Sequence, residues 1–421
     1  MRFKHVAIAS VAHVDAPNRL SSAEIAARLR PSMERLGLRA DLLEGVAGID
    51  ARRVWDEGTE PSDAAALAAE KALAETGLDR EKIGMLVNTS VCRDFLEPST
   101  ASIVAGKLNL PEHCQNFDVG NACLAFLNGM DIAAHMIERG DIEYALIVDG
   151  ESSRFITEKT IERLSAPTVT AEQFREEFAS LTLGSGGVAM ILANADLYPD
   201  GHRYLGSVSR SATQFSRLCA GNIDRMVTDT RTLLVEGLKL AGKTFAAARQ
   251  MFGWAVGEID EFVIHQVSRV HTEELVKMLG IDPHKVLTIF PEFGNIGPAS
   301  LPTLKPASSR VSLVAAKAKA RGGRRLSVPF LRSASVAAVS SVAALARASP
   351  GSTRPPGHTH LSGMKTWPFE RWPIITSRPP RTRMSVAASR GRVAFGFSAS
   401  GLSNGFSSSL SLKSLALMRP S

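Results

Sequence analysis

The chain has 421 residues, of which 44% are hydrophobic and 22% charged, a composition typical of a globular protein with room for two domains. Four cysteines in so long a chain argue against a disulfide scaffold, no cysteine or histidine cluster has zinc spacing, and no apolar run reaches the ~18 residues that span a bilayer. The net charge of +7 is uneven, because residues 306–421 hold 18 basic residues and one acid, Glu370, whereas the rest has a net charge of −10. The net positive charge therefore does not indicate that the whole protein binds nucleic acid. We expect a cytoplasmic protein.

Strands and helices alternate along the first 305 residues, which predicts an α/β fold with a mostly parallel, buried sheet. A capping box, Ser21-x-x-Glu24, opens the first helix. The second has Ser62 or Asp63 as its N-cap and Gly77 as its stop. Strands are predicted at residues 5–12, 84–91, 114–119, 144–150, 186–193 and 261–268, and further helices at 98–108, directly after Cys123, and at 229–251.

The character of the chain changes after about Leu304. The tail contains 23 serines, many arginines and prolines, and no persistent helix or strand period. This composition predicts disorder from residue 305 to 421. A basic arm for nucleic acid or membrane is the alternative, although the tail lacks interleaved aromatic residues.

Cys123 stands in N-F-D-V-G-N-A-C-L-A-F-L-N-G-M, after a polar, glycine-containing turn and at the start of a predicted helix. Free N–H groups and the helix dipole at that end predict a lowered thiol pKa, as a nucleophile requires. A small buried hydrophobic residue is the alternative. The other three cysteines lack this context.

Two further candidates lie in the second half of the predicted fold. His265 ends the strand E-F-V-I-H-Q-V-S, where α/β proteins place their sites, and a neutral imidazole there would stabilise an oxyanion or activate a thiol. Asn295 lies between glycines in F-G-N-I-G-P-A-S and would donate a hydrogen bond to an oxyanion. The alternatives are a hydrogen-bonded core histidine and an asparagine in a left-handed turn.

Glu97 is the fourth candidate, in C-R-D-F-L-E-P-S-T-A-S before a predicted helix. It would be a base if an apolar cleft raised its pKa, or a plain helix cap. The sequence leaves both open.

The motifs N-A-C-L-A-F-L-N-G-M, V-I-H-Q-V-S and G-N-I-G-P-A-S-L-P, in this order, resemble the Cys-His-Asn set of the thiolase superfamily in its ketoacyl-synthase III branch. Within it, R-D-F-L-E-P-S-T-A-S and G-N-I-D-R-M-V-T-D-T-R are similar to olefin-biosynthesis members, the OleA-type acyl-CoA:acyl-CoA alkyltransferases. The resemblance implies a thiolase fold, a duplicated five-layer αβαβα arrangement. Its halves would be residues 1–193, with Cys123, and 194–304, with His265 and Asn295, before the tail at 305–421.

The resemblance also implies an activity: two long-chain acyl-CoAs condense without decarboxylation to a 2-alkyl-3-oxo acid, in a homodimer with no metal or redox cofactor. Cys123 would carry the first acyl group, and His265 and Asn295 would stabilise the enolate of the second. Glu97, from the partner subunit, would remove the α-proton or activate the hydrolytic water. A base is needed because no malonyl group supplies a carbanion by losing CO₂. Later enzymes of the olefin pathway are possible partners.

The chain departs from the family after L-P-T-L, where members continue with a glycine-rich Gly-x-Gly-Ser-Gly stretch between two strands. No such motif follows, and the tail resembles G+C-rich coding DNA read in the wrong frame. We therefore expect a frameshift near codon 304 and an incomplete C-terminal half. Three alternatives stay open: a malonyl-ACP-dependent 3-oxoacyl-ACP synthase III, an inactive scaffold that lacks the glycine-rich loop, and a nucleic-acid binder that uses its basic tail. Acyl chain length and CoA contacts are not readable from these residues.

Overall fold

The computed structural model describes residues 1–199 and 201–303, together with three short strands at 327–328, 330–331 and 342–346. The chain divides into two compact units, Met1–Ser352 and Thr353–Ser421, and every described residue belongs to the first. The strands are β1 Val6–Asp15, β2 Asn18–Ser21, β3 Ala51–Val54, β4 Ile83–Asn88, β5 Gln115–Asp118, β6 Tyr144–Glu151, β7 Gly186–Asn194, β8 His202–Tyr204, β9 Cys219–Gly221, β10 Met226–Thr228, β11 Ile259–Ile264, β12 Ser327–Val328, β13 Phe330–Leu331 and β14 Val342–Ala346. The α-helices are α1 Ser22–Arg35, α2 Pro61–Thr76, α3 Thr100–Lys107, α4 Ala125–Arg139, α5 Arg154–Leu164, α6 Ala171–Glu177, α7 Thr230–Phe252, α8 Arg269–Leu279, α9 Phe290–Phe293 and α10 Ser300–Thr303. Within the described residues, no helix is both long and apolar enough to cross a bilayer.

Helix ends follow the local chemistry of the sequence. Ser21 Oγ accepts from the Glu24 amide at 3.1 Å and Glu24 Oε2 accepts from the Ser21 amide at 2.7 Å, so the predicted capping box is confirmed. Asp229 caps the long helix α7 by accepting from the Thr232 amide at 3.0 Å. These caps satisfy amide groups that a helix start leaves without a partner.

The start of α2 differs from the prediction by two residues. Its N-cap is Glu60, in extended conformation, and not Ser62 or Asp63. Asp63 lies three residues further on, and its Oδ2 accepts from the Glu60 amide at 3.1 Å. Asp63 therefore takes part in the cap, but as its N3 residue and not as the predicted N-cap. Gly77 ends the helix with a φ of 64°, as predicted.

Among the described residues, the main sheet has ten strands, in the order β11-β14-β12-β8-β1-β7-β6-β4-β5, with β13 paired to β14. Strand β4 runs parallel to β5 and β6, whereas β7 is antiparallel to both β6 and β1. The expectation of a mostly parallel sheet is therefore wrong, because the sheet is mixed. Strand β6 is buried along its whole length, and burial on both faces gives the same apolar run whichever way the neighbouring strand points.

Hydrophobic contacts place helices on both faces of this sheet. Helices α2 and α3 pack on one face of the strands β1, β4, β6 and β7. Helix α4 and the segment 296–301 pack on the other face, in a cluster that Val263 of β11 joins. Helices α7 and α8 cover β11 from outside. Helix α4 therefore packs in one cluster with strands β1, β4, β6 and β7 and with β11, which lies at the other end of the sheet order.

Most of the tail predicted to be disordered, residues 305–421, lies outside the described residues. Within it, β14 pairs antiparallel with β11, and β12 pairs parallel with β8. At these strands the backbone forms part of the main sheet, where the sequence shows no strand period. The proposed frameshift near residue 304 falls at the edge of the described segment 201–303 and stays a prediction.

Candidate active site

Cys123 occupies a turn between the end of β5 and the start of α4. A single 3-10 turn, Ala122–Leu124, precedes α4, which begins at Ala125. Ala122 has a φ of 43°, a left-handed conformation that costs a residue with a Cβ about 1 kcal/mol or more. The strained turn sets the cysteine side chain at the entrance of the helix, where it is half-buried.

The pKa of the Cys123 thiol is raised, and the prediction that it is lowered is wrong. Burial is the main cause, and the neighbouring Cys219 and the Glu151 carboxylate add to it. A helix N-terminus contributes ~2 kcal/mol at most, or roughly 1.5 pKa units, whereas burial moves a pKa by up to about 3 to 5 units. Desolvation therefore exceeds the dipole, and Cys123 is a neutral thiol that needs a proton acceptor.

His265 follows the last residue of β11 and is buried. Its Nδ1 lies 2.7 Å from Ser300 Oγ, while its Nε2 is buried without a hydrogen-bond partner among the described residues. Burial lowers the pKa of His265 to about 3, with His271 as a second cause. The imidazole is therefore neutral near pH 7, as expected for a residue that exchanges a proton or a hydrogen bond with a substrate.

Asn295 is not in the left-handed conformation that its alternative explanation required. The left-handed residues are the flanking Gly294 and Gly297, with φ values of 65° and 56°. Asn295 Oδ1 accepts from the Gly297 amide at 3.0 Å, which leaves the Nδ2 group as a donor. Its backbone bonds to Thr182 O and the Gly184 amide, at 2.8 and 2.9 Å, hold the loop against the approach to β7.

The structure brings three of the four candidate residues to one place. The turn Ala122–Leu124, with Cys123, packs against the turn Gly297–Ala299. Asn295 precedes that second turn, and Ser300, the partner of His265, follows it. The Cys123 thiol, the His265 imidazole and the Asn295 amide group therefore meet beside α4, and within the described residues His265 Nε2 has no hydrogen-bond partner.

Glu97 is separate from this group within one chain. It lies in the loop between β4 and α3, its side chain is exposed, and it makes no hydrogen bond or ion pair among the described residues. The same loop exposes apolar side chains, of which Leu96 is 94% exposed, with Val91 and Phe95 each more than half exposed. The loop thus presents a carboxylate and apolar groups together to whatever lies outside the chain.

A buried pair of carboxyl groups at the end of β6 was not foreseen. Glu151 accepts from the amides of Val91 and Cys92 at 2.7 and 3.2 Å, which ties the base of the Glu97 loop to the sheet. Burial raises the pKa of Glu151 to about 7 and that of Asp149 well above its usual range. The sequence does contain an indication of this pair, namely two acidic residues in the otherwise apolar strand Y-A-L-I-V-D-G-E. Charged residues are rarely fully buried, so their position in such a strand is unusual.

The described residues contain no cluster of three or more histidine, cysteine, aspartate or glutamate side chains able to hold a metal ion. The expectation that the chain uses neither a metal nor a redox cofactor stays a prediction.

Comparison with known proteins gives two matches to one family of models. Residues 117–212 match 3-oxoacyl-[acyl-carrier-protein] synthase III, and residues 250–310 match its C-terminal part. An acyl-CoA:acyl-CoA alkyltransferase from Xanthomonas campestris pv. campestris is 61% identical over 302 residues, which are 72% of this chain and 89% of that protein. A β-ketoacyl-[acyl-carrier-protein] synthase III from Neisseria meningitidis is 26% identical over 291 residues, covering 68% of this chain and 84% of the relative.

Solved structures of Xanthomonas campestris OleA share the fold. They superpose with a TM-score of 0.75 and 54% identity, over 82% of this chain and 98% to 100% of theirs. They include variants of a cysteine, a glutamate or a histidine, and one contains bound lauric acid and lauroyl-CoA. The similarity extends over nearly the whole length of each of these chains.

Proposed function

Since the chain belongs to the acyl-CoA:acyl-CoA alkyltransferases, condensing acyltransferases of the 3-oxoacyl-ACP synthase III family, we propose that it joins two long-chain fatty acyl-CoAs in a Claisen reaction without decarboxylation. The product is a 2-alkyl-3-oxo acid, an intermediate suited to olefin biosynthesis. The observation that carries the proposal is the meeting of Cys123, His265 and Asn295 beside α4.

The variants of the Xanthomonas campestris protein support this assignment of residues. Its replaced glutamate, cysteine and histidine are separated by the same numbers of residues as Glu97, Cys123 and His265. The bound lauric acid and lauroyl-CoA in one of those structures favour a fatty acyl thioester as substrate here.

Cys123, Glu97 and Asn295 then each have a defined step. Cys123 Sγ attacks the carbonyl carbon of the first acyl-CoA, and CoA leaves as a thiol. The α-carbon of the second acyl-CoA loses a proton to Glu97 and attacks the acyl-cysteine, and Cys123 leaves. The Nδ2 group of Asn295 donates a hydrogen bond to the enolate oxygen. This hydrogen bond strengthens as negative charge develops on that oxygen. Hydrolysis of the remaining thioester gives the acid.

Glu97 fits this scheme as a residue supplied by a second copy of the chain. It is exposed beside Leu96, Phe95 and Val91, and an apolar loop of this kind is suited to burial against another protein surface. In a homodimer the loop of one subunit would enter the site of the other. There the carboxylate would lie within reach of the α-carbon proton that it has to remove.

The test is to incubate the full-length chain with lauroyl-CoA and follow both the protein and the product. Intact mass spectrometry is expected to show one lauroyl group per chain, absent in Cys123→Ala and unaffected in Cys219→Ala. Mass spectrometry of the extract is expected to show the condensed 3-oxo acid or the ketone formed when it loses CO₂. A Cys123→Ala variant labelled to full stoichiometry would remove the nucleophile assignment.

The malonyl-dependent 3-oxoacyl-ACP synthase III reaction is the second candidate, favoured by the match to that family. Supplying malonyl-ACP in place of the second lauroyl-CoA separates the two. Product only with malonyl-ACP would select the second candidate. An absence of acyl-enzyme with either substrate would select the inactive scaffold.

A further inference from the structure

Ser300 is a side chain of the site that none of the roles above uses. It is buried, and its Oγ lies between two partners, His265 Nδ1 at 2.7 Å and the Gly297 carbonyl oxygen at 2.9 Å. A serine hydroxyl has one proton to donate, and a carbonyl oxygen has none. The two contacts therefore decide where the proton of His265 lies.

Only one arrangement makes both contacts hydrogen bonds. If Ser300 donates to the Gly297 carbonyl, its oxygen accepts from an Nδ1–H group of His265, and both contacts are hydrogen bonds. If Ser300 instead donates to a bare Nδ1, lone pairs of Ser300 Oγ and the Gly297 carbonyl oxygen face each other at 2.9 Å, and the carbonyl keeps only the Ser300 amide as a donor. The geometry thus selects the neutral tautomer of His265 with its proton on Nδ1.

From this network we infer that Ser300 is a positioning residue, which holds His265 in the Nδ1–H tautomer so that Nε2 accepts the thiol proton of Cys123 during acylation. The inference rests on the proposed function. Nε2 is buried and has no partner in the described part of the chain, so its lone pair is not engaged elsewhere. The cysteine turn packs directly against the Gly297–Ala299 turn, immediately before Ser300.

The proton and electron pairs balance without a further reactant. The Cys123 Sγ–H proton passes to His265 Nε2 while the sulfur forms a bond to the thioester carbonyl carbon. The bond from that carbon to the CoA sulfur then breaks. The CoA sulfur takes the proton back from Nε2 and leaves as a thiol, and His265 returns to its starting tautomer.

The first test measures the tautomer directly in the full-length wild-type protein with ¹⁵N-labelled histidine rings. The signals of His265 are assigned by their loss in His265→Asn. We expect the unprotonated nitrogen, which resonates far downfield, to be Nε2. An unprotonated Nδ1 would overturn the inference whatever the variants do.

The second test compares the rate at which lauroyl-CoA acylates Ser300→Ala, Ser300→Thr and wild type. The alanine variant is expected to acylate about 10- to 100-fold more slowly, since a general base contributes about 10²- to 10⁴-fold and part of that depends on its protonation state. The threonine variant retains the hydroxyl and is expected to recover most of the rate. An unchanged rate in Ser300→Ala would refute the role of Ser300.

The two proposals fail in different ways. If wild type forms no acyl-enzyme, the proposed function fails and the inference about Ser300 fails with it. If wild type is acylated and Ser300→Ala matches it, only the positioning role fails. A Ser300→Ala variant that does not fold leaves the decision to the ¹⁵N measurement on wild type.

Discussion

Replacing Glu151 by glutamine tests the buried carboxyl pair through the pH dependence of stability. Glu151 is 5% exposed, and burial raises its pKa from an ordinary 4.5 to about 7. Between these two values the folded protein holds a proton that the unfolded chain has released. The free energy of unfolding therefore falls by about 1.4 kcal/mol for each pH unit, or about 3 kcal/mol over the whole window. The contribution of Glu151 is fully present below pH 4.5 and is lost as the pH rises through 7.

Glutamine at position 151 does not titrate, so the Glu151→Gln variant loses the part of the pH dependence that Glu151 supplies, while Asp149 keeps its own. Glutamine keeps one oxygen to accept from the Val91 amide, and the anchor of the loop is partly retained. Urea denaturation of wild type and variant at pH 5 and pH 8, at one protein concentration, gives two differences in unfolding free energy. We expect the unfolding free energy of the variant minus that of wild type to be about 2 to 3 kcal/mol larger at pH 8 than at pH 5. A difference that is the same at both pH values would refute the reasoning, and the exposed Glu57→Gln serves as the matched control.

Three further predictions concern the candidate site and the end of the similarity. Glu97→Ala is expected to be acylated normally by lauroyl-CoA but to form no condensed product. When equal amounts of Glu97→Ala and Cys123→Ala are refolded together, about a quarter of the wild-type number of active sites should be recovered if the base acts across a symmetric dimer. No recovery would mean that Glu97 acts within its own chain. Ala122→Val should lower the free energy of unfolding in urea by about 1 to 3 kcal/mol because a β-branched residue resists a φ of 43°, whereas Ala122→Gly should not. Sequencing the gene across codon 304 should reveal, in another frame, a Gly-x-Gly-Ser-Gly stretch followed by an apolar strand, and no such frame would favour the scaffold.

The position of the nucleophile was readable because it depends on local chemistry. A glycine-containing turn and an apolar helical run place Cys123 at a helix start, and the structure confirms that position. Likewise, an apolar strand that ends in V-I-H puts His265 just beyond β11. The chain itself determines these features within a few residues, without reference to distant segments.

The features that the sequence did not predict depend on contacts between distant segments. The direction of β7 depends on how the chain connects it to β6. A strand buried on both faces is apolar along its length in either direction, so its sequence does not predict whether it runs parallel or antiparallel. The raised pKa of Cys123 depends first on burial and then on electrostatic interaction with Cys219 and Glu151, which are remote in sequence. The role of Ser300 depends on a contact across 35 residues, and the motif that contains it resembles an ordinary helix start.

The pKa directions at Cys123 and His265 together constrain how the thiol reacts. Burial raises the thiol pKa above its ordinary value of 9.0 and lowers the imidazole pKa to about 3. Both shifts oppose transfer of the proton before any bond forms, and the attraction between the two resulting charges offsets only part of that cost. A standing thiolate–imidazolium pair is therefore not the resting state of this site. The proton leaves Sγ as the bond to the thioester carbon forms and the negative charge moves on to the oxygen and then to CoA, so the cysteine becomes nucleophilic only when an acyl thioester is in place.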